Sequence, residues 1–286
     1  MSRNRDRLGN HTVQQSDPAP QQNTAQSDGA AFSFVVPTEF VELPSQGRFY
    51  PETHPLFNQE TIEIKQMTAK EEDLLTSRAL LKKGVALDRV IESLIIDKKI
   101  DHNSLLVGDR NAIMIAARIS GYGNGYDTSM TCPSCNATQP YSFDLFDSTI
   151  NYGEIDDALG TQDLGGGLFL TTLPRSKYEV TFRILSGTDE KALMSQIESA
   201  RKKNRQENSV TRQLKLITVA VNGDESPQTI QHFVNNMPSL DAQHLRTVFA
   251  MATPNVDLTQ HYSCDQCGFE TELEVPLTAD FFWPNR

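Results

Sequence analysis

Long hydrophobic runs are missing from this sequence. The longest, such as Ser93-Leu-Ile-Ile-Asp97, fall far short of the roughly 20 apolar residues that cross a bilayer, so no transmembrane helix is expected. Basic charge is scarce too: 26 Lys and Arg stand against 37 Asp and Glu in 286 residues, a net charge of −11. Such a surface repels a phosphate backbone at long range, which disfavours general nucleic-acid binding and leaves it only local patches. The opening Met-Ser-Arg-Asn-Arg-Asp-Arg has no apolar stretch behind its basic residues, so no secretory leader is read there and the cytoplasm of the producing cell is the expected location. Catalytic signatures are also lacking. There is no Walker A loop, no H-E-x-x-H and no G-x-S-x-G, and the six histidines are scattered without a partner cysteine or serine at a recognisable spacing.

What the sequence does contain is four cysteines in two pairs, Cys132-Pro-Ser-Cys135 and Cys264-Asp-Gln-Cys267, separated by the 128 residues 136–263. In a chain without an export signal, paired C-x-x-C points to metal before disulfides. Each pair offers two thiolates on one tight loop, and zinc takes four at tetrahedral corners. The residue after each second cysteine is Asn136 or Gly268, the types best able to adopt the positive φ that a knuckle requires. Strand-like sequence follows both, at Tyr141–Leu145 and Phe269–Val275. The expectation is one structural Zn2+ held by Cys132, Cys135, Cys264 and Cys267 in a ribbon split by a long insertion, with iron as another metal and free thiols as the other reading. Four cysteines close the shell and leave no open position for catalysis. His261, three residues before Cys264, is either an alternative ligand or a solvent-facing strand residue. Neither pair opens a helix in a thioredoxin-like context, so redox catalysis is not expected.

The chain divides by composition. Residues 1–31 hold five Gln, three Asn and almost no large apolar side chain, which reads as a disordered polar arm. Residues 32–145 with 259–286 read as a helical body and zinc ribbon, and 146–258 as an insert domain of a β-hairpin and about four helices: an α+β fold. Thr61–Met67 alternates as a strand. Thr68 and Glu71 form a capping box for a helix through Lys82 ended by Gly84. Leu87, Val90, Ile91, Leu94 and Ile95 mark a second helix, and Asp109 caps a third that stops at Gly121. In the insert, Leu168–Pro174 and Tyr178–Leu185 form a hairpin around Arg175–Lys177. Helices are expected near 189–206, 209–222, 227–236 and 240–252, with Ser226-Pro227 and Ser239 as N-caps.

Other candidates have plainer readings. Gly121, Gly123 and Gly125 neither follow a strand nor open a helix, so they read as a turn. The six carboxylates between Tyr141 and Asp163 lack the register of a calcium loop and read as a solvated connector. Arg201-Lys-Lys-Asn-Arg205 is the one basic cluster; it favours a helix C-terminus and is where a nucleic-acid-binding adaptor would make contact.

Several strings together resemble a known family. Pro44-Ser-Gln-Gly-Arg-Phe-Tyr-Pro51, Met67-Thr-Ala-Lys-Glu-Glu-Asp73, Leu106-Val-Gly-Asp-Arg110, Ala116-Ala-Arg-Ile119, Gly121-Tyr-Gly123 and Phe281-Phe-Trp-Pro284 look like the baseplate hub assembly proteins of T-even-type contractile-tailed bacteriophages. The resemblance implies a non-enzymatic role, by contact with other hub or tail proteins, as a virion subunit or an assembly chaperone. It would place the protein in the virion baseplate or in the cytoplasm of the infected host, with no small-molecule substrate. Phe49 and Tyr50 are either partner anchors or core, and Trp283 is either docked or an exposed anchor.

Overall fold

The computed structural model describes residues 35–155, 159–202, 208–275, 277 and 279–282. The polar arm at 1–31, residues 203–205 of the basic cluster and Trp283 lie outside the described residues. All the elements below belong to the unit Val36–Arg286.

Strands β1 (Thr38–Glu42) and β2 (Thr61–Lys65) pair antiparallel, with Val41, Ile62 and Ile64 turned inward. Between them, Pro44–Pro51 forms a tight turn in which Gln46 and Gly47 have φ of 50° and 70°. A Cβ on Gly47 would lie 2.3 to 2.7 Å from backbone atoms of Gln59, Leu56 and Asn58, so only glycine fits. Helix α1 (Ala69–Thr76) starts with the expected capping box of Thr68 and Glu71. It does not continue to Lys82. Ser77 is extended (φ −64°, ψ 107°), and a short α2 (Arg78–Lys83) ends at left-handed Gly84. The Thr76 hydroxyl donates back to the Glu72 and Asp73 carbonyls, a local side-chain bond of the kind that competes with continuing a helix.

Helix α3 (Ala86–Leu94) buries Val90, Ile91 and Leu94. Helix α4 (Val107–Tyr122) runs one residue past Gly121 to Gly123, whose φ is 83°. Its N-cap is Leu106, and Asp109 is fully buried inside the first turn. Asp109 accepts from Ser45 N–H (3.0 Å), Ser45 Oγ (2.6 Å) and Tyr50 Oη (2.7 Å), and Tyr50 accepts from Leu106 N–H (3.0 Å). The residue that local pattern marks as a cap is therefore a long-range anchor for the Pro44–Pro51 turn. Phe49 and Tyr50 are 7% and 2% exposed, so both rings are core.

Strands β3 (Gly125–Thr131) and β4 (Thr138–Asp144) form a hairpin, followed by a 3-10 turn (Leu145–Asp147) and β5 (Thr149–Asn151). Strands β6 (Thr161–Gly165), β7 (Leu168–Thr172), β8 (Glu179–Arg183) and β9 (Thr218–Val221) make an antiparallel sheet in that order. Helices α5 (Gly187–Lys202), α6 (Ser209–Ile217), α7 (Pro227–Asn236) and α8 (Ser239–Ala252) complete this region. The expected helix 209–222 stops at Ile217, because Thr218-Val-Ala-Val221 pairs with β8 instead. β-Branched residues in a short buried run favour that choice. Ser226 caps α7 as expected by accepting from Thr229 N–H, whereas α8 is preceded by Pro238 and Ser239 makes no cap bond.

Strand β10 (Asn255–Asp257) pairs with β5, so the two ends of the segment 146–258 lie side by side. A hairpin of β11 (Thr259–Ser263) and β12 (Glu270–Glu274) and a 3-10 turn (Ala279–Phe282) close the chain. Mixed helix and small antiparallel sheets make this an α+β fold. One continuous set of buried apolar side chains extends from Val41 to Phe282 and includes Phe169 and Phe182 of the four-stranded sheet. Phe49 meets Phe169 at 5.9 Å between ring centres. Gly108 lets α4 approach the link between α8 and β10: a Cβ there would lie 2.0 Å from the Pro254 carbonyl oxygen.

Candidate metal centre

The two C-x-x-C pairs occupy the tips of two hairpins. In the first, Cys132 N–H donates to the Ala137 carbonyl (2.9 Å) and Asn136 N–H to the Cys132 carbonyl (2.9 Å). In the second, Cys264 N–H donates to the Phe269 carbonyl (2.9 Å) and Gly268 N–H to the Cys264 carbonyl (2.8 Å). The bonds are the same at both tips. So is the backbone, with φ of 58° at Asn136 and 67° at Gly268, as the residue types lead one to expect.

Three side chains strap the hairpins together. Gln139 donates to the Ser263 carbonyl (3.1 Å) and accepts from Asp265 N–H (3.0 Å). Gln260 donates to the Asp144 carbonyl (2.6 Å) and accepts from Asp144 N–H (3.2 Å). The Tyr141 hydroxyl donates to the His261 carbonyl. Glutamines on β4 and β11 carry no sequence signal for this role, since each completes a bond to a residue at least 116 positions away.

The straps bring all four sulfurs within 4.8 Å of one another. Cys132 Sγ lies 3.8 Å from Cys267 Sγ, and Cys135 Sγ lies 3.7 Å from Cys264 Sγ. A tetrahedral ion with metal–sulfur bonds of about 2.3 Å sets its sulfurs about 3.8 Å apart, so the residues present fit such an ion. Among the described residues this is the one group of three or more His, Cys, Asp or Glu side chains so arranged. Cys132 and Cys264 are buried, Cys135 and Cys267 exposed. Burial works against ionisation of Cys264, but the Cys267 and Gln266 amides outweigh it and draw the thiol down to about 6. At Cys135 the Ala137 amide lowers the thiol pKa, yet the neighbouring sulfurs and burial push it up to about 12.

A family model described as T4 bacteriophage base plate protein matches residues 36–283. The chain belongs to this family. No curated protein and no solved structure matches it.

In this base plate protein the strings that pointed to the family are structural joints. Pro44–Pro51 is pinned to α4 through Asp109. Arg118, from the Ala116–Ile119 string, is buried and donates to the carbonyls of Gly123 (2.6 Å), Gly125 (2.8 Å) and Phe281 (3.2 Å). The Gly121–Gly125 loop therefore turns carbonyls toward a guanidinium, an arrangement with the wrong polarity for a phosphate cradle. Phe281 and Phe282 are buried, with Phe281 at 5.5 Å from the Tyr126 ring. Glu71 is buried as well; burial would raise its pKa, but bonds from Lys65, Ser93 and Thr68 hold it at about 2.

His261 is exposed on β11, outside the sulfur cluster. His54 stacks on Tyr50 at 4.3 Å and pairs with Ser104 (2.8 Å). Of the basic cluster, Arg201 and Lys202 are exposed at the end of α5, with Lys202 3.4 Å from Glu198. No helix among the described residues is long and apolar enough to cross a membrane.

Proposed function

We propose that this base plate protein acts in assembly of the baseplate hub by protein–protein contact, without catalysis, and that Cys132, Cys135, Cys264 and Cys267 hold one structural Zn2+. The observation that carries the metal reading is the spacing of the four sulfurs, 3.7 and 3.8 Å between knuckles that are 128 residues apart in the chain. A four-sulfur shell leaves the ion no position for substrate and makes it a cross-link whose binding energy is folding energy. The β5–β10 pairing at the root of 146–258 supports reading that segment as an insert within a ribbon-bearing body.

Family membership supports the assembly role. Such proteins work through other phage structural proteins, in the virion or on the way to it. Purified protein should contain about one zinc per chain, and a chelator should lower its melting temperature; metal analysis showing none, with melting unchanged in chelator, would sink the zinc reading. Co-expression with neighbouring tail proteins followed by pull-down tests the hub role. Recovery of hub proteins with the chain missing from purified virions would identify an assembly factor, presence at fixed copy number a subunit, and no recovered partner would remove the hub reading.

A further inference from the structure

One buried polar group stands at the sulfur cluster. Tyr262 is fully buried, and among the described residues its hydroxyl completes no hydrogen bond, with the Cys264 side chain as the neighbour that it faces. Its ring is held from the side by Tyr141, 5.2 Å away between centres. The buried residues that share its cluster are Cys132 and Cys264 and no others. Tyr262 precedes Cys264 by two positions at the end of β11, and side chains two apart on a strand point to the same face. An unpaired buried hydroxyl costs about 1 to 3 kcal/mol, and phenylalanine would fill the same space without it.

A neutral thiol is a weak acceptor, whereas a metal-bound thiolate carries lone pairs and negative charge. We propose that Tyr262 is a positioning residue of the metal centre, its hydroxyl donating to the Cys264 sulfur when an ion holds that sulfur as thiolate. The inference rests on the four cysteines being metal ligands. It makes the inner, buried half of the site different from the outer half, where Cys135 and Cys267 meet solvent. Such outer partners fix a ligand's orientation, and their loss costs about 10- to 100-fold in metal affinity.

The test uses the full chain, prepared metal-free under reducing conditions and titrated with Co2+ alone, then displaced with Zn2+. Tyr262→Phe should bind Co2+ at least about tenfold more weakly than wild type and shift the thiolate-to-cobalt charge-transfer band. Its metal-free form should melt at the same temperature as wild type or higher, because the unpaired hydroxyl is gone. Tyr152→Phe, which loses a hydroxyl bond to Glu42 outside the sulfur cluster, should leave the cobalt affinity and spectrum unchanged. Equal Co2+ affinity and spectra in wild type and Tyr262→Phe would overturn the proposal while leaving the metal site standing. A Tyr262→Phe melting loss that is the same with and without metal would overturn it too, by marking a packing role only. Failure of the wild type to bind Co2+ would instead remove the underlying metal reading, and this inference with it.

Discussion

Two junctions hold distant parts of this chain together, and they are completed in different ways. At the first, Ser45 and Tyr50 converge on Asp109, and every group in the joint finds a partner within the chain. At the second, four thiols converge with one buried hydroxyl beside them, and no other His, Asp or Glu among the described residues joins the set. The first is closed by protein alone. The second sets four sulfurs at the spacing of a tetrahedral ion, and the difference teaches that one joint is made by hydrogen bonds within the chain while the other is built from groups able to share a metal ion.

The sharpest way to break this contrast is Cys264→Ser. Losing one of four ligands should cost on the order of 4 kcal/mol or more in metal-replete protein and abolish the chelator effect. Denaturant unfolding with and without chelator would show it, and a melting curve identical to wild type would erase the distinction between the joints. Next comes Asp109→Ala, which leaves the Ser45 and Tyr50 donors unpaired in the core and should cost about 3 kcal/mol. That loss should be the same at saturating zinc and in chelator, so rescue by metal would show that the joints are not independent.

The smallest effect is expected from pH. The folded pKa of Glu71 lies below its unfolded value, so its contribution is fully present above about pH 4.5 and is lost as pH falls toward 2. The shift corresponds to at most roughly 3 kcal/mol. Glu71→Gln should flatten the acid limb of the stability curve between those values. A limb unchanged by the substitution would mean that the Lys65, Ser93 and Thr68 bonds do not hold the carboxylate ionised.

The parts legible in the sequence are those governed by neighbouring residues. Asn136 and Gly268 mark the knuckles because positive φ is a property of the residue itself, and the Thr68–Glu71 box and Ser226-Pro227 start helices for equally local reasons. Leu168–Thr172 and Glu179–Arg183 pair as expected because their alternation and turn lie within one short segment. What escaped depends on distance along the chain. Asp109 looks like a cap until Ser45 and Tyr50 arrive, and Thr218–Val221 extends a helical pattern until the edge of β8 claims it. Gln139, Gln260 and Tyr262 carry no pattern at all, since their roles exist only once the two hairpins meet.

The pairing of β5 with β10 has a consequence for the order of events in folding. Counted along the chain, bringing the knuckles together closes a loop of 128 residues. Once Thr149–Asn151 has zipped to Asn255–Asp257, only residues 136–148 and 258–263 remain free between them. The entropy of closure grows with the logarithm of loop length, so this shortcut lowers its cost by roughly 2 kcal/mol. The segment 146–258, which lengthens the chain between the two knuckles, thus acts after it has folded as a splint that presents one knuckle to the other.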